Sequence, residues 1–415
     1  MSPLSAACLA LALAVFSASP ATRAAPHIPA HDNVIVDKLP VRANDPAVRH
    51  LRELRSAHTA APDNRDVAVR LARSYFDLAS AEGDPRYVGY AEAAIRPWTT
   101  LPAPPTDVIL MRALIRQYRH DFGPALRDLD AVVAAGPGNT EALQWQFALH
   151  LVQADYAAAR QRCTVLAPLT TPLAATACTA ILDGINGRSR PAYARLAAAL
   201  ALRTSTGTAA GSIDADYRQW LLTRLGEMAL RAGNKTQAEK HFREAIATGV
   251  IDGFVLAAYA DLLLEEKRPA EVVTLLKDWG TSDILLLRLA LAEQALRAPL
   301  AAAHRQALAD RFAAAALRGD KLHQQEESRF ALQLQGDAAK ALALAVENWT
   351  SQREPRDARV LLEAALARGD AAAAKPALDW MASTGFEEPR YRELAAALAR
   401  LPAKDASGTV TGAKP

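Results

Sequence analysis

Three groups of residues carry the types that chemistry needs. Glu327, followed by Ser328-Arg329-Phe330, could act as a general acid. That role requires a carboxyl held in an apolar pocket, where burial raises its pKa toward neutrality. Nothing around Glu327 supplies such a pocket, so the residue reads as a solvated helix position. His323 with Glu326 and Glu327 has the composition of a metal site, but the paired second histidine of a zinc-binding helix is absent. Cys163 and Cys178 flank a turn at Pro168 to Pro172 that lies midway between them. Helices running antiparallel from that turn would set the two thiols face to face. A disulfide needs Cα atoms roughly 4.4–6.8 Å apart, which register alone does not guarantee. Two readings therefore stand: a bonded pair, or two small buried apolar residues. No phosphate loop, nucleophile elbow or recognised metal-ligand spacing occurs, so the sequence offers no catalytic, cofactor-binding or metal residue. Arg318-Gly319-Asp320 and Arg368-Gly369-Asp370 look like adhesion tripeptides but read as chain reversals.

The disulfide question depends on compartment, and the N-terminus speaks to that. Ala6 to Phe16 is an unbroken apolar run, followed by Pro20 and by small residues that suit cleavage after Ala21 or Ala24. A run of this length fits the core of an export signal, whereas a membrane-spanning helix needs roughly 20 apolar residues. The region before it lacks Lys and Arg, and Cys8 opens the run where a lipidated cysteine would close it. The chain is therefore expected to be exported to the periplasm, with secretion as the second choice, and to carry no integral membrane segment once mature. Removing Arg23 with the leader leaves 47 basic against 45 acidic residues. So even a balance argues against a nucleic-acid partner, which would call for a basic stripe.

Alanine and leucine dominate, aromatics make up 6% of the chain, and no β-branched alternation is sustained. These features predict an all-α protein. Its 415 residues exceed the roughly 100–200 of one ordinary domain, which leaves several domains or a repeat array. A fixed period decides for the array. In Trp220 to Gly249, Leu225-Gly226 sits in a first helix, Gly233 at a turn, and Ala238, Phe242 and Ala245 in a second. Small residues at Gly226 and Ala238 let the helix axes approach, while Leu225 and Phe242 fill the flanks. The unit recurs 34 residues on around Tyr259, Leu263 and Lys267-Arg268-Pro269, then around Leu289-Ala290, Pro299 and Ala302. Asp121-Phe122 and Asp155-Tyr156 are 34 residues apart, and Gly336-Asp337 and Gly369-Asp370 are 33 apart.

This pattern resembles the tetratricopeptide repeat family over about Asp66 to Leu398. The resemblance implies a right-handed superhelical solenoid of antiparallel helix pairs with a concave groove lined by first helices. It places Gln117, Tyr118, Gln144, Glu227, Arg231, Asp261 and Glu265 in that groove as partner-binding candidates. The Lys and Asn clamp by which repeat receptors of this family hold a C-terminal carboxylate is absent: Thr223 and Glu227 stand there in one unit, Ala257 and Asp261 in the next. A narrower likeness links Asp84-Pro85-Arg86-Tyr87 and Gln352-Arg353-Glu354-Pro355 to uncharacterised exported bacterial repeat proteins and implies no activity. Glu327-Ser328 also resembles the catalytic pair of lytic transglycosylases. There a Gly-rich segment ending in Met-Gln follows; here Gln335-Gly336-Asp337-Ala338 follows, on a repeat turn.

The expected organisation is a signal peptide (1–24), an irregular arm (25–44), an N-terminal array (45–203), a Gly/Ser/Thr-rich loop (204–216), a C-terminal array (217–402) and a tail (403–415). The expected function is a non-enzymatic scaffold or assembly factor of the cell envelope that binds a protein or peptide, with an envelope membrane protein as one such partner and no cofactor. The alternatives are a peptidoglycan-acting enzyme of the lytic transglycosylase type and a self-associating structural protein with Tyr391 to Leu398 as the contact.

Overall fold

The computed structural model describes residues 31, 46–205, 213–250, 252–319 and 321–402. The expected export segment, most of the arm, residues 206–212 of the expected loop and the tail lie outside the described residues. The chain divides into two units, residues 1–49 and 50–415, and the helical array forms the second. The described residues fold into twenty α-helices and no strand. A lead helix, α1 (Pro46–Ala60), precedes four pairs: α2 (Arg65–Glu82) with α3 (Arg86–Thr99), α4 (Thr106–Tyr118) with α5 (Phe122–Ala135), α6 (Thr140–Val152) with α7 (Tyr156–Leu166), and α8 (Pro172–Ile185) with α9 (Ser189–Ser205). Five more follow: α10 (Ala215–Arg231) with α11 (Lys235–Ile246), α12 (Gly253–Glu265) with α13 (Pro269–Leu276), α14 (Asp283–Leu296) with α15 (Ala301–Leu317), α16 (Gln324–Phe330) with α17 (Ala338–Ser351), and α18 (Pro355–Arg368) with α19 (Lys375–Thr384). The last helix, α20 (Pro389–Ala399), packs against α18.

The pairs are made by their turns. In all nine one residue adopts the left-handed conformation: Gly83, His120, Ala154, Gly187, Gly233, Lys267, Arg297, Gly336 and Gly369, with φ between 54° and 76°. After the last eight of these, the next amide reaches back to satisfy a carbonyl that the helix end would leave bare. Asp155 N donates to His150 O at 2.8 Å, Asn234 N to Ala229 O at 2.8 Å and Asp370 N to Ala365 O at 2.9 Å. That same next residue often caps the second helix. The side chain of Asp155 accepts from Ala158 N at 3.0 Å, that of Asn234 from Gln237 N at 3.1 Å and that of Asp337 from Lys340 N at 2.9 Å. Each cap contributes about 1 kcal/mol. Two residues thus end one helix, reverse the chain and start the next, which is why the period is visible in Gly-Asp and Asp-aromatic pairs.

Packing within a pair follows the small-against-large rule. Phe242 of α11 is fully buried, and its ring lies where a side chain at Gly226 would be: a Cβ there would come within 2.4 Å of the ring. Because Phe242 has no free space to move into, Gly226→Ala is expected to destabilise the protein by about 1–3 kcal/mol. Urea unfolding measures this; an unchanged midpoint would mean that α10 and α11 are not in contact there.

The array also curls back on itself. Gln352 Nε2 donates to His120 Nδ1 at 2.9 Å, Arg353 N to Val152 O at 2.7 Å, Trp380 Nε1 to the Tyr156 hydroxyl at 2.8 Å, and Ser189 N to a Glu387 carboxylate oxygen at 3.1 Å. Gly187 lies so close to Gly385 that a Cβ on it would come within 2.9 Å of the Gly385 carbonyl oxygen. The turns of the second, third and fourth pairs therefore dock on the segment from Gln352 to Glu387. Burial and the neighbouring His323 push His120 down to about 4, so the ring at this junction is neutral at pH 7 and free to accept from Gln352.

Candidate functional site

First helices of the second half carry a row of charges toward the inside. Asp261 and Glu265 are one turn apart on α12, as are Arg359 and Glu363 on α18; Arg288 comes from α14, Arg329 from α16 and Arg390 from α20. Residues four apart share a helix face, so each helix adds its charges to one line. Asp261 is gripped from two sides. Arg329 holds both its oxygens, at 2.9 and 3.1 Å, and Arg288 adds a bond at 2.8 Å. Arg359 pairs with Glu265 and, at 3.0 Å, with Glu363, which Arg390 also reaches at 3.3 Å. Burial alone would raise the Asp261 carboxyl, but the two guanidinium groups win and hold it well below the usual carboxylate range. Its side chain keeps 24% of its surface, and that part faces a cavity.

Two hollows share this row. One is an open groove of about 510 Å3, lined by Leu264, Leu291, Leu332, Leu366 and Leu394 alongside Glu265, Arg329, Arg359, Glu363 and Arg390. Each of α12, α14, α18 and α20 contributes one of these leucines; Leu332 belongs to the π turn Ala331–Gln335 that continues α16. The result is an aliphatic stripe beside a charged one. The other hollow is more enclosed, about 260 Å3, and runs from Asp261 to Glu227, Arg231, Arg356, Glu388 and Tyr391. Ser80 and Gly83, from the first pair, complete its wall.

Aromatic rings steady arginines in and beside this inner cavity. Arg224 and Arg356 lie over Phe254 at 4.6 and 5.2 Å, and Arg231 over Phe386 at 5.8 Å. Arg224 donates to Glu227 at 2.8 Å, and Arg356 pairs with Glu354. Glu388 differs: burial outweighs the pull of Arg231 and Arg359 and pushes its carboxyl up to about 7.

Four of the seven groove residues expected from sequence, Glu227, Arg231, Asp261 and Glu265, line this one cavity. The other three lie elsewhere. Gln117 and Tyr118 end α4, where the Tyr118 ring meets Phe76 edge-on at 6.3 Å, and Gln144 is exposed on α6. Sequence reasoning did not find Arg288, Arg329, Arg359, Glu363 or Glu388. Arg288, Arg329, Arg359 and Glu363 lie on later first helices, the nearest of them, Arg288, 27 residues beyond Asp261, and Glu388 caps the last helix, so no signal within one repeat pointed to them.

The remaining chemistry-bearing residues occupy other places. Glu327 forms an ion pair with Lys340 at 2.8 Å, and Ser328 donates to Ala341 O at 2.7 Å. A carboxylate matched by a lysine is not the apolar enclosure that a general acid requires. Cys163 and Cys178 are joined as a disulfide with Cα atoms 5.7 Å apart. Among the described residues no cluster of three or more His, Cys, Asp or Glu is placed to hold a metal ion, and no helix is long and apolar enough to cross a membrane.

The repeated pair, its turn and its inward first helices decide the architecture. The chain is an all-α solenoid of tetratricopeptide-like helix pairs. Solved structures similar to it include a tetratricopeptide repeat protein from Parabacteroides merdae ATCC 43184, 12% identical, with 72% of this chain and 98% of that one covered and a TM-score of 0.34. The TPR domain of P58(IPK) is 14% identical, with 79% of this chain and 94% of that one covered and a TM-score of 0.21. No family model and no curated protein matches the sequence.

Proposed function

We propose that the protein is a non-enzymatic interaction scaffold or assembly factor of the bacterial cell envelope that holds a protein or peptide partner in the open groove of its second half. A helix-pair solenoid is an interaction-scaffold kind of fold, presenting a continuous face built of first helices. The observation that carries the reading is the pairing of the leucine stripe with the charged stripe. Half-buried Leu264, Leu291, Leu332 and Leu366 offer apolar surface to an aliphatic anchor, and Glu265, Arg359, Glu363 and Arg390 beside them fix its register. An amphipathic segment of another protein, apolar along one edge and of mixed charge along the other, matches both. Export follows from the apolar leader, which makes an envelope protein the partner that the chain would meet.

The test is gentle crosslinking of the tagged full-length chain in a bacterial host, followed by mass spectrometry of what is captured, beside the groove variant Leu332→Glu. One dominant envelope protein, lost in the variant while its helical circular dichroism persists, is the expected result. Capture of nothing above background, or the same protein captured equally by the variant, would contradict the groove as the binding face.

A further inference from the structure

The inner cavity holds a guanidinium and a carboxyl group whose hydrogen bonding the protein leaves incomplete. Arg231 is buried, with 7% of its surface exposed, and lines the cavity. Its Nε has no hydrogen-bond partner, and the Glu227 carboxylate lies 3.8 Å from its Nη2, beyond a good hydrogen bond. Glu388 lines the same cavity, and beyond burial what acts on its carboxyl there is the longer-range pull of Arg231 and Arg359, with no side-chain hydrogen bond beside it among the described residues. The Nε of Arg288, on the same wall, is also without a partner. Their neighbours are otherwise engaged: Asp261 with Arg288 and Arg329, Glu265 and Glu363 with Arg359. Buried polar groups that stay unpaired burden a fold, and native proteins retain them where something else satisfies them.

What would satisfy both is narrowly defined. A simple anion matches Arg231 but is repelled by Glu388, and a simple cation has the converse problem. A molecule with a carboxylate at one end and an ammonium at the other serves both at once. Size agrees: at about 260 Å3 the cavity is smaller than the roughly 300–1,000 Å3 of drug-sized sites. Leu230, Phe254, Ala257 and Ala258 supply an apolar wall for a side chain. Arg231, held over the Phe386 ring, is already oriented, and a guanidinium accepts a carboxylate through two parallel bonds.

We propose that the inner cavity binds a small zwitterion of the amino-acid or dipeptide class, its carboxylate on Arg231 and its ammonium on Glu388. This site lies on the inner side of the charged row that it shares with the open groove, where Asp261, Glu265, Arg329, Arg359 and Glu363 line both, and Arg231 and Glu388 belong to the inner cavity alone.

Isothermal titration of the purified full-length chain with each free L-amino acid and with dialanine tests this, each ligand compared with its N-acetyl and carboxamide forms. At least one parent ligand should bind saturably, and each blocked form, lacking one charge, should bind about tenfold weaker or worse. Glu388→Gln should weaken the parent ligand to a similar degree with its helical circular dichroism intact. If that variant fails to fold, the blocked ligands on the unaltered chain decide the same point. No binding from the panel at roughly 10 mM, or blocked forms that bind as well as their parents, would overturn the proposal. Inorganic phosphate binding as tightly as the best amino acid would also overturn it, since Arg231 alone would then account for the site.

Discussion

Asp261→Asn is expected to remove about 3–5 kcal/mol of stability at pH 7. The carboxylate is the common partner of Arg288 and Arg329, and the variant would leave two guanidinium groups in the interior with no negative charge between them. The intact cluster need not add much net stability, because taking three charges out of water offsets most of their attraction. Removing one member is different, since the desolvation cost of the others stays. The pH dependence follows in sign. Asp261 is held below its unfolded value of about 3.9. Its contribution is therefore complete above that value and is lost as pH falls through the lower, folded one. Urea unfolding at pH 7 and pH 3 should show the gap between the parent chain and the variant narrowing in acid. A gap that is small at pH 7 would mean that the two arginines find other partners.

Glu388→Gln is expected to do the opposite. Burial pushes this carboxyl up to about 7, from an unfolded value of about 4.3. Between those values the folded chain keeps a proton that the unfolded chain has lost, so this group's contribution to stability declines as pH rises from about 4 to about 7. The total is on the order of 3 kcal/mol above pH 8. Glutamine has the shape of the protonated acid and never ionises, so the variant should match the parent near pH 4 and exceed it by about that amount at pH 8. Thermal unfolding across this range measures the difference, and a constant offset would show that Glu388 titrates normally. A residue that costs the fold stability is of the kind that proteins retain for function.

How much of this could be read beforehand depends on whether the cause is local. The repeat period was legible because one turn needs a left-handed residue followed by a cap, and Gly336-Asp337 and Gly369-Asp370 spell that out. Where the left-handed residue is His120, Ala154, Lys267 or Arg297, only the following Asp121 or Asp155, or the Pro two residues on at Pro269 or Pro299, marks the place. Gly226 against Phe242 was legible for the same reason: both partners lie in one unit. Asp261, Glu265, Glu227 and Arg231 were found because repeat register fixes which face a first-helix residue takes.

Their partners were not found, since Arg329 and Arg359 lie 68 and 94 residues from the carboxylates they hold. Those meetings depend on the summed rotation of successive pairs, which no single repeat encodes. The same holds for the docked turns. Gln352-Arg353-Glu354-Pro355 stood out in the sequence without a role, and the structure gives it one: Gln352 meets His120, Arg353 meets Val152, and the Pro355 carbonyl accepts from the Tyr391 hydroxyl at 2.8 Å. Gln117, Tyr118 and Gln144 were placed by the register that found Asp261, but their helices do not wall the cavity.

The first half of the array docks on the second, supplying Ser80 and Gly83 to the wall of the inner cavity, and elsewhere along that junction Trp380 Nε1 donates to the Tyr156 hydroxyl. The coupling free energy of that bond, from a double-mutant cycle of Tyr156→Phe and Trp380→Phe in urea unfolding, is the direct test. A coupling of about 0.5–1.5 kcal/mol is expected if the two halves meet as described. Additivity within about 0.3 kcal/mol would contradict that docking.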